Sequence, residues 1–170
     1  YKKFTYEGRS YYYLTINGKN QDGKAASVTV MAENLNVGEM VDGNKDQNDD
    51  SKIERYCYDN DTMKCEEYGG LYQWAEMMKL PSECNTKSCA DSIKPNHQGI
   101  CPEGWRLLTY DDMYVVVHAN GNRNGYWSFE QIIKSSWSRW GGVVRMWGYK
   151  SLVDKKFEID KILFTYKYGS

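Results

Sequence analysis

The sequence contains no run of about 18 apolar residues, no initiator methionine and no excess of either charge. The missing apolar run excludes a membrane-spanning helix. With 22 basic and 23 acidic residues the formal net charge is -1, so we expect neither nucleic acid nor an anionic membrane as a partner. Because the chain starts at Tyr1, we expect a mature or trimmed product from which a targeting segment has been removed.

Residues that carry acid–base or nucleophilic catalysis are also scarce. Only His97 and His118 are bases that titrate near neutral pH without a perturbed environment, and His118 falls beside a valine run on a predicted helix. Neither a Gly-x-Ser-x-Gly motif nor a phosphate-binding loop occurs. We therefore expect a protein that is not an enzyme and has no organic cofactor.

The composition is that of one globular domain with many tyrosines. The 170 residues and 41% hydrophobic content suffice for one core, and 15 Tyr and 6 Trp stand against only 4 Phe. Rings with a polar group suit interfaces and ligand platforms, although tyrosine-rich strands of an ordinary exported fold are an equal interpretation. The candidate ligand or partner contacts are Trp127, Trp147, Tyr11, Tyr12, Tyr166 and Tyr168.

Five cysteines lie close together in the middle of the chain. Clustering at short spacing favours disulfides in an exported protein. We predict a Cys57–Cys65 disulfide, which closes a loop of about nine residues and stabilises the fold by roughly 2.5 kcal/mol in the chain-entropy model. The preferred second pair is Cys84–Cys89, which leaves Cys101 either buried or paired with a cysteine outside this chain.

Zinc binding is the alternative for the second cysteine cluster. Cys84, Cys89, His97 and Cys101 are residue types that zinc accepts. Structural zinc sites with paired two- to four-residue spacings, however, usually occur in reducing compartments, and a Cys57–Cys65 disulfide argues for an oxidising one. Disulfide formation is therefore the favoured interpretation.

Calcium is the one metal that the acidic segments leave open. Residues 38–51 are rich in Asp and Asn and nearly devoid of apolar side chains, which predicts a loop. Gln47 and Ile53 stand where an EF-hand needs Gly and Glu, so an EF-hand is excluded. An irregular calcium site remains the alternative to a solvated loop, with the candidate ligands Asp42, Asn44, Asp46, Asp59 and Asp61.

Two regions near the N-terminus have strand patterns. Residues 6–16 are aromatic and β-branched, and Asn17-Gly18 after them is favoured in two-residue hairpin turns. Residues 26–32 alternate valine or alanine with other side chains at period two. Since residues 20–24 also have turn composition, we expect a hairpin with an elaborated connection.

The middle of the chain has helical patterns. Leu71, Trp74, Ala75 and Met78 share one face of a predicted helix of about ten residues, which Pro81 ends. A buried segment, residues 105–108, then leads into a second helix. Thr109 and Asp112 have the spacing of a capping box for that helix, and its predicted inner residues are Met113, Val116 and Val117.

The C-terminal third contains one more helix and two more strands. Residues 128–140 show helical periodicity, and residues 143–149 and 156–168 show strand patterns. Strands at both ends with helices between them predict an antiparallel sheet that pairs the termini. The expected class is α+β, a single domain over residues 1–170 with two or three helices and long loops.

Four segments in order resemble the Fibrobacter succinogenes major paralogous domain, a family of bacterial surface proteins. They are Met31-Ala-Glu-Asn-Leu35-Asn36, Cys57-Tyr-Asp-Asn-Asp61, Tyr68-Gly-Gly-Leu-Tyr72-Gln-Trp74 and Gly99-Ile-Cys101-Pro-Glu-Gly104-Trp105. The resemblance covers about residues 10–120 and leaves residues 121–170 as a divergent C-terminal part. It implies a C-type-lectin-like or formylglycine-generating-enzyme-like α+β architecture.

The chain also departs from that family. Arg106-Leu107-Leu108 stands where the family commonly has His-Leu-Pro, and the terminal Arg-Cys of the family is missing, which would explain the odd Cys101. Calcium-dependent lectins of the implied fold use Glu-Pro-Asn, but Lys94 replaces the oxygen ligand in the similar segment here. That sugar site is therefore not carried over.

The resemblance implies a non-catalytic, exported module of the bacterial cell surface. We expect an extracellular adhesion role in which the domain binds a surface glycan or a protein. The alternative is a structural subunit of an extracellular filament or surface assembly, whose partners are copies of itself.

Overall fold

A computed structural model describes residues 1–119 and 164–167, and its fold is mixed α+β. In chain order the elements are β1 (Lys2–Tyr6), β2 (Arg9–Lys19), β3 (Ala25–Met31), β4 (Glu39–Met40), β5 (Glu54–Arg55), α1 (Thr62–Tyr68), α2 (Trp74–Met78), β6 (Trp105–Leu108), α3 (Tyr110–His118) and β7 (Phe164–Lys167). Short 3₁₀ turns lie at Tyr58–Asn60, Ser82–Asn85 and Ala90–Ser92.

The main sheet has five antiparallel strands in the order β1-β2-β3-β7-β6. Both terminal strands belong to it, as expected, but they are not neighbours, because β7 lies between β3 and β6. Strands β4 and β5 form a separate parallel pair. The long segment between β3 and α1 is therefore mostly irregular and contains β4 and β5.

The predicted turn at Asn17-Gly18 is wrong. Strand β2 continues through both residues, which pair with Ser27 and Ala26 of β3, and Ser27 Oγ donates to Asn17 Oδ1 at 2.6 Å. The chain turns after Lys19 instead, where Asn20 Oδ1 accepts the backbone N–H groups of residues 22 and 24 at 3.0 Å. The asparagine that can satisfy two backbone donors decides the position of the turn.

The predicted first strand, residues 6–16, is in fact parts of two strands. Strand β1 ends at Tyr6, and β2 starts at Arg9. Between them Glu7 and Gly8 have φ values of 47° and 74°, which are typical of a tight hairpin turn that matches the twist of its strands. The strand predicted at residues 26–32 is confirmed as β3.

Helix α3 and its start are confirmed. Thr109 accepts from the Asp112 N–H, and the Asp112 carboxylate accepts from the Thr109 N–H, so the capping box is closed in both directions. Arg106 also pairs with Asp112. The helix packs across β2 and β3. Among its described side chains Val115 is buried and Val116, which was predicted to face inward, is half-buried; the side chains of Met113 and Val117, also predicted to face inward, lie outside the described part.

The other two helices are short. The predicted ten-residue helix is only Trp74–Met78, because Leu71 forms a β-bridge with Tyr56 and Lys79 leaves the helix with φ 53°. All five residues of α2 are buried. Helix α1, which the sequence analysis did not predict, begins at Asp61, whose carboxylate accepts from the Met63 N–H at 2.9 Å.

Both predicted disulfide pairs are present. Cys57 is joined to Cys65 and Cys84 to Cys89, with Cα–Cα separations of 5.0 and 5.6 Å. Cys101 is buried and belongs to neither bond. One bond holds α1 against the turn before it, and the other closes the loop after α2.

Several predictions lie outside the described residues. These are the helix at 128–140, the strand at 143–149, and the contacts proposed for Trp127, Trp147 and Tyr168. Of the strand predicted at 156–168, the structure describes only Phe164–Lys167. The Tyr166 side chain, another proposed contact, also lies outside the described part.

Candidate functional site

A cavity of about 820 Å³ opens where the β1–β2 turn, the segment after β3 and strand β5 meet. Its lining residues are Glu7, Gly8, Arg9, Ser10, Asn36, Val37, Gly38 and Arg55. Among the described lining residues, only Val37 has a purely hydrocarbon side chain. The wall is therefore suited to a polar ligand that is recognised by charge and hydrogen bonds.

Two buried tyrosines fix the floor of this cavity. The Tyr11 hydroxyl accepts from the Asn36 N–H at 3.1 Å and donates to the Asn36 carbonyl at 3.3 Å. The Tyr72 hydroxyl does the same for Val37, at 2.8 and 2.7 Å. Tyr11 is 1% exposed and Tyr72 0% exposed. An irregular backbone segment that would otherwise bury unsatisfied polar groups is thus held in one position.

Gly38 allows the segment that forms this floor to pack closely against the residues at the start of β5. Gly38 has φ 96°, and a Cβ atom placed on it would lie 2.5 Å from the Ile53 carbonyl oxygen. The close approach lets the Glu39 N–H donate to Ile53 and the Val41 N–H donate to Arg55, both at 2.9 Å. Arg55 is thereby placed on the cavity wall beside Asn36.

The two arginines of the cavity are in different electrostatic states. Arg9 Nη2 contacts both carboxylate oxygens of Glu66, at 2.6 and 2.7 Å. Arg55 donates through Nη1 to the neutral Asn36 Oδ1 and forms no ion pair with any residue among 1–119. Within the described part of the chain, Arg9 is therefore neutralised by a carboxylate and Arg55 is not.

Two buried donors in this wall lack an acceptor. Arg55 Nε and Asn36 Nδ2 are both inaccessible to water, and neither makes a hydrogen bond within the described part of the chain. Asn36 is 6% exposed as a whole residue. An unsatisfied buried donor costs about 1–3 kcal/mol. In this wall, folding therefore leaves two donors without a hydrogen bond within the described part of the chain.

Glu66 reports the positive field of the pocket. Its pKa lies below the ordinary value, mainly because of the hydrogen bond from Arg9, with smaller contributions from the charge of Arg55 and from the Asn36 amide. Glu66 forms its ion pair with Arg9 and not with Arg55.

The residue before Arg55 belongs to a different environment. Successive residues of a strand point to opposite faces, and Glu54 is 5% exposed beside Glu76, which is 8% exposed. The Glu76 carboxylate accepts from the Glu54 N–H at 2.7 Å. Burial, followed by the charges of Glu54, Asp50 and Asp49, raises the pKa of Glu76 to about 7.

The candidate calcium ligands have structural contacts in the folded chain. Asp42 accepts from the Asn44 N–H at 2.8 Å, Asp46 accepts from Gln73 Nε2 at 2.9 Å, and Asp61 caps α1. Asp59 is exposed. Among the described residues no cluster of three or more Asp, Glu, His or Cys side chains has the geometry of a metal site, so calcium binding stays a prediction.

The cysteine and histidine set does not assemble as a zinc site would. Cys84 and Cys89 are joined to each other, and both nitrogens of His97 are engaged. Nδ1 accepts from the Lys94 N–H at 3.1 Å, which places the proton on Nε2, and Nε2 donates to the Met78 carbonyl at 2.8 Å. His97 therefore attaches the loop after α2 to the end of that helix.

The predicted aromatic contacts need one correction. Tyr11 is not available to a ligand or partner, because its ring is buried and its hydroxyl holds Asn36. Tyr12, the next residue on β2, points to the other face and is 42% exposed, in edge contact with the 86% exposed Tyr1. The period-two alternation of a strand predicts that Tyr11 and Tyr12 lie on opposite faces of the sheet.

The sequence analysis missed the charged residues of the cavity. Asn36 and Tyr72 lie within the segments that carry the family resemblance, but Arg9 and Arg55 were not selected. Their signal was weak because an isolated arginine is usually a solvated surface residue. Only the tertiary approach of three separate segments puts them around one cavity.

One of the comparisons with known proteins identifies a family. A family model described as the Fibrobacter succinogenes major domain matches residues 24–140. The match starts later than the resemblance at residues 10–120 and continues into the part expected to diverge. No curated protein and no solved structure matches the chain, so the C-type-lectin-like architecture stays a prediction. Among the described residues, no helix has the length and apolar character needed to cross a membrane.

Proposed function

The chain belongs to the Fibrobacter succinogenes major domain family, and from this premise we propose that it is a non-catalytic, extracellular module of the bacterial cell surface that binds a carbohydrate or protein ligand in the Arg55 cavity. Two disulfides are compatible with an oxidising, extracellular environment. The proposal concerns binding and includes no reaction of the ligand.

The observation that supports a binding role is the state of Arg55. A partly buried guanidinium without a carboxylate partner is costly, and a ligand anion can supply the missing charge. The cavity beside it is large enough for a small ligand group, and its floor is held in place by Tyr11 and Tyr72 before any ligand arrives. A preorganised site loses little entropy on binding.

The test is a binding screen with matched variants. The purified protein is applied to immobilised polysaccharides and extracellular proteins, together with Arg55→Ala and Lys64→Ala. Lys64 is a useful control because it pairs with Glu67 on α1 and does not line the cavity. We expect binding to at least one ligand, a loss of tenfold or more in Arg55→Ala, and no change in Lys64→Ala. Equal binding by Arg55→Ala would reject the cavity as the site.

A structural subunit is the second candidate. Among residues 1–119 and 164–167, strand β1 is paired on one side only, and Tyr1 and Tyr12 are exposed near it. An unpaired edge can accept a strand from another copy. Light scattering with and without a calcium chelator distinguishes the candidates: a 19.8 kDa monomer in both conditions supports the binding module, whereas a polymer supports the assembly and its chelator sensitivity would indicate a metal.

A further inference from the structure

The Arg55 guanidinium in the cavity wall has no directly paired negative charge among the described residues. Arg9 and Glu66 cancel each other, while Arg55 has no carboxylate partner in the described part of the chain. Glu7, on the turn at the edge of the cavity, adds a carboxylate that disfavours multiply charged anions. The local balance therefore fits a monoanion better than a phosphate monoester.

The geometry of the free donors fits a carboxylate. A guanidinium presents its N–H groups as a planar fork that matches two carboxylate oxygens. Among the described residues, Arg55 donates only to Asn36 Oδ1, through Nη1. Arg55 is half-buried and lines the cavity. An anion that entered the cavity could therefore accept from the guanidinium.

The remaining lining residues favour a sugar over a peptide. Ser10 and Glu7 offer a hydroxyl and a carboxylate, which can exchange hydrogen bonds with ligand hydroxyl groups. Apart from Val37, the part of the wall formed by described residues has no apolar side chain that could bind a hydrophobic peptide residue. The same part has no aromatic ring for a neutral sugar to stack on. The ligand must be recognised by its charge and hydroxyl groups.

We propose that the cavity binds a uronic acid residue of an acidic polysaccharide, with the sugar carboxylate on Arg55. This inference rests on the proposed function, because it assumes that the cavity is the binding site. Asn36 positions the guanidinium by accepting its Nη1 hydrogen bond, and the tyrosine-held floor positions Asn36. The expected specificity is for the carboxylate and not for a particular sugar epimer.

Calorimetry with three matched oligosaccharides tests the proposal. The probes are an oligogalacturonate, its neutral derivative in which the carboxyl groups are reduced to alcohols, and a sulfated oligomer of the same length. We expect the Kd for the oligogalacturonate to be at least tenfold lower than for the other two. We also expect 0.5 M NaCl to weaken this binding, since the interaction is electrostatic.

Variants connect the specificity to the site. Arg55→Ala is expected to raise the Kd for oligogalacturonate tenfold or more, and Arg55→Lys to raise it less, because lysine keeps the charge but not the fork. Lys64→Ala removes a charge outside the cavity and should bind as the wild type does. Circular dichroism and the Tm of each variant show whether it is folded, and Arg55→Lys serves as the test if Arg55→Ala is not.

The outcomes separate this inference from the function on which it rests. Equal affinity for the acidic and the reduced oligomers, or tighter binding of the sulfated one, would overturn the uronic acid assignment. If either of these results is found but the screen identifies a ligand whose binding depends on Arg55, the proposed binding function still holds. No binding of any oligosaccharide, with Arg55→Ala equal to wild type in the screen, would overturn both.

Discussion

Glu76 is a carboxylic acid that the folded chain holds largely away from water. It belongs to α2, is 8% exposed, and has Glu54, Asp50 and Asp49 as its nearest negative charges. Burial is the main cause that raises its pKa from an ordinary 4.5 to about 7. The acid therefore keeps its proton in the folded state at pH values where the unfolded chain has released it.

This shift makes stability depend on pH near neutrality. As the pH rises from about 4.5 to about 7, the unfolded state loses the proton first, so the free energy of unfolding falls. Glu76→Gln keeps an oxygen that can accept from the Glu54 N–H but cannot ionise. We expect it to match the wild type near pH 5 and to exceed it by on the order of 2 kcal/mol at pH 8, as measured by urea unfolding.

Glu83→Gln is the control for that comparison. Glu83 is exposed and pairs with Lys87, so its substitution removes the same charge without a buried acid. Groups that are common to the wild type and the variants contribute equally, so their contributions cancel in the differences. If the Glu76→Gln and wild-type stability curves run parallel between pH 5 and 8, the raised pKa is refuted.

At the scale of elements, α2 depends on the loop that follows it. A five-residue helix has too few internal hydrogen bonds to be stable by itself. Its last carbonyl groups are satisfied from residues 97–100: the Ile100 N–H donates to Met77 at 3.1 Å, and His97 Nε2 donates to Met78 at 2.8 Å. Gly99 lies between these two contacts.

Substitution of Gly99 tests this dependence. Gly99 has φ 54°, and a Cβ atom there would lie 2.2 Å from the Met77 carbonyl oxygen, so Gly99→Ala must separate the loop from the helix. Gly104→Ala is the matched control, since φ is 78° but no atom lies within 4 Å of the added Cβ. The control should cost about 1 kcal/mol of backbone strain, and Gly99→Ala at least about 2 kcal/mol more.

Denaturant unfolding of the two variants provides the measurement. A rise in the exposure of α2 to hydrogen exchange in Gly99→Ala alone would localise the effect. Equal destabilisation of the two variants would show that the close approach of Gly99 to α2 contributes nothing.

Elements with local chemical signals could be predicted, and those set by distant contacts could not. The Thr109–Asp112 capping box and strand β3 follow from patterns a few residues long. The turn at Asn17-Gly18 failed because cross-strand pairing and the Asn20 side chain outweighed local turn preference. The cavity could not be predicted for the same reason, because its arginines come together only when the loop around Gly38 packs on β5.

At the scale of the whole molecule, two short cross-links hold segments that have little regular structure. Cys57–Cys65 spans eight positions and Cys84–Cys89 spans five. Each bond restricts the unfolded chain, and in the chain-entropy model each stabilises the fold by about 2–2.5 kcal/mol. Their loss should therefore have similar effects on stability, although they lie in different parts of the structure.

Their effects on the cavity should differ. Cys65 and Glu66 are neighbours on α1, and Glu66 neutralises Arg9 on the cavity wall. Cys84 and Cys89, by contrast, close the loop after α2 and are not among the described lining residues. We expect the double variant Cys57→Ala with Cys65→Ala to weaken oligogalacturonate binding severalfold. The double variant Cys84→Ala with Cys89→Ala should bind normally after a comparable loss of Tm.

Calorimetry below the Tm of both variants compares them as folded proteins. Cys101→Ala removes a buried cysteine that belongs to neither bond and controls for the loss of a sulfur atom from the core. Equal weakening of binding in both double variants would mean that the cavity responds to global stability. Weakening in the first alone would establish that the α1 disulfide holds Glu66 in its ion pair with Arg9 on the cavity wall.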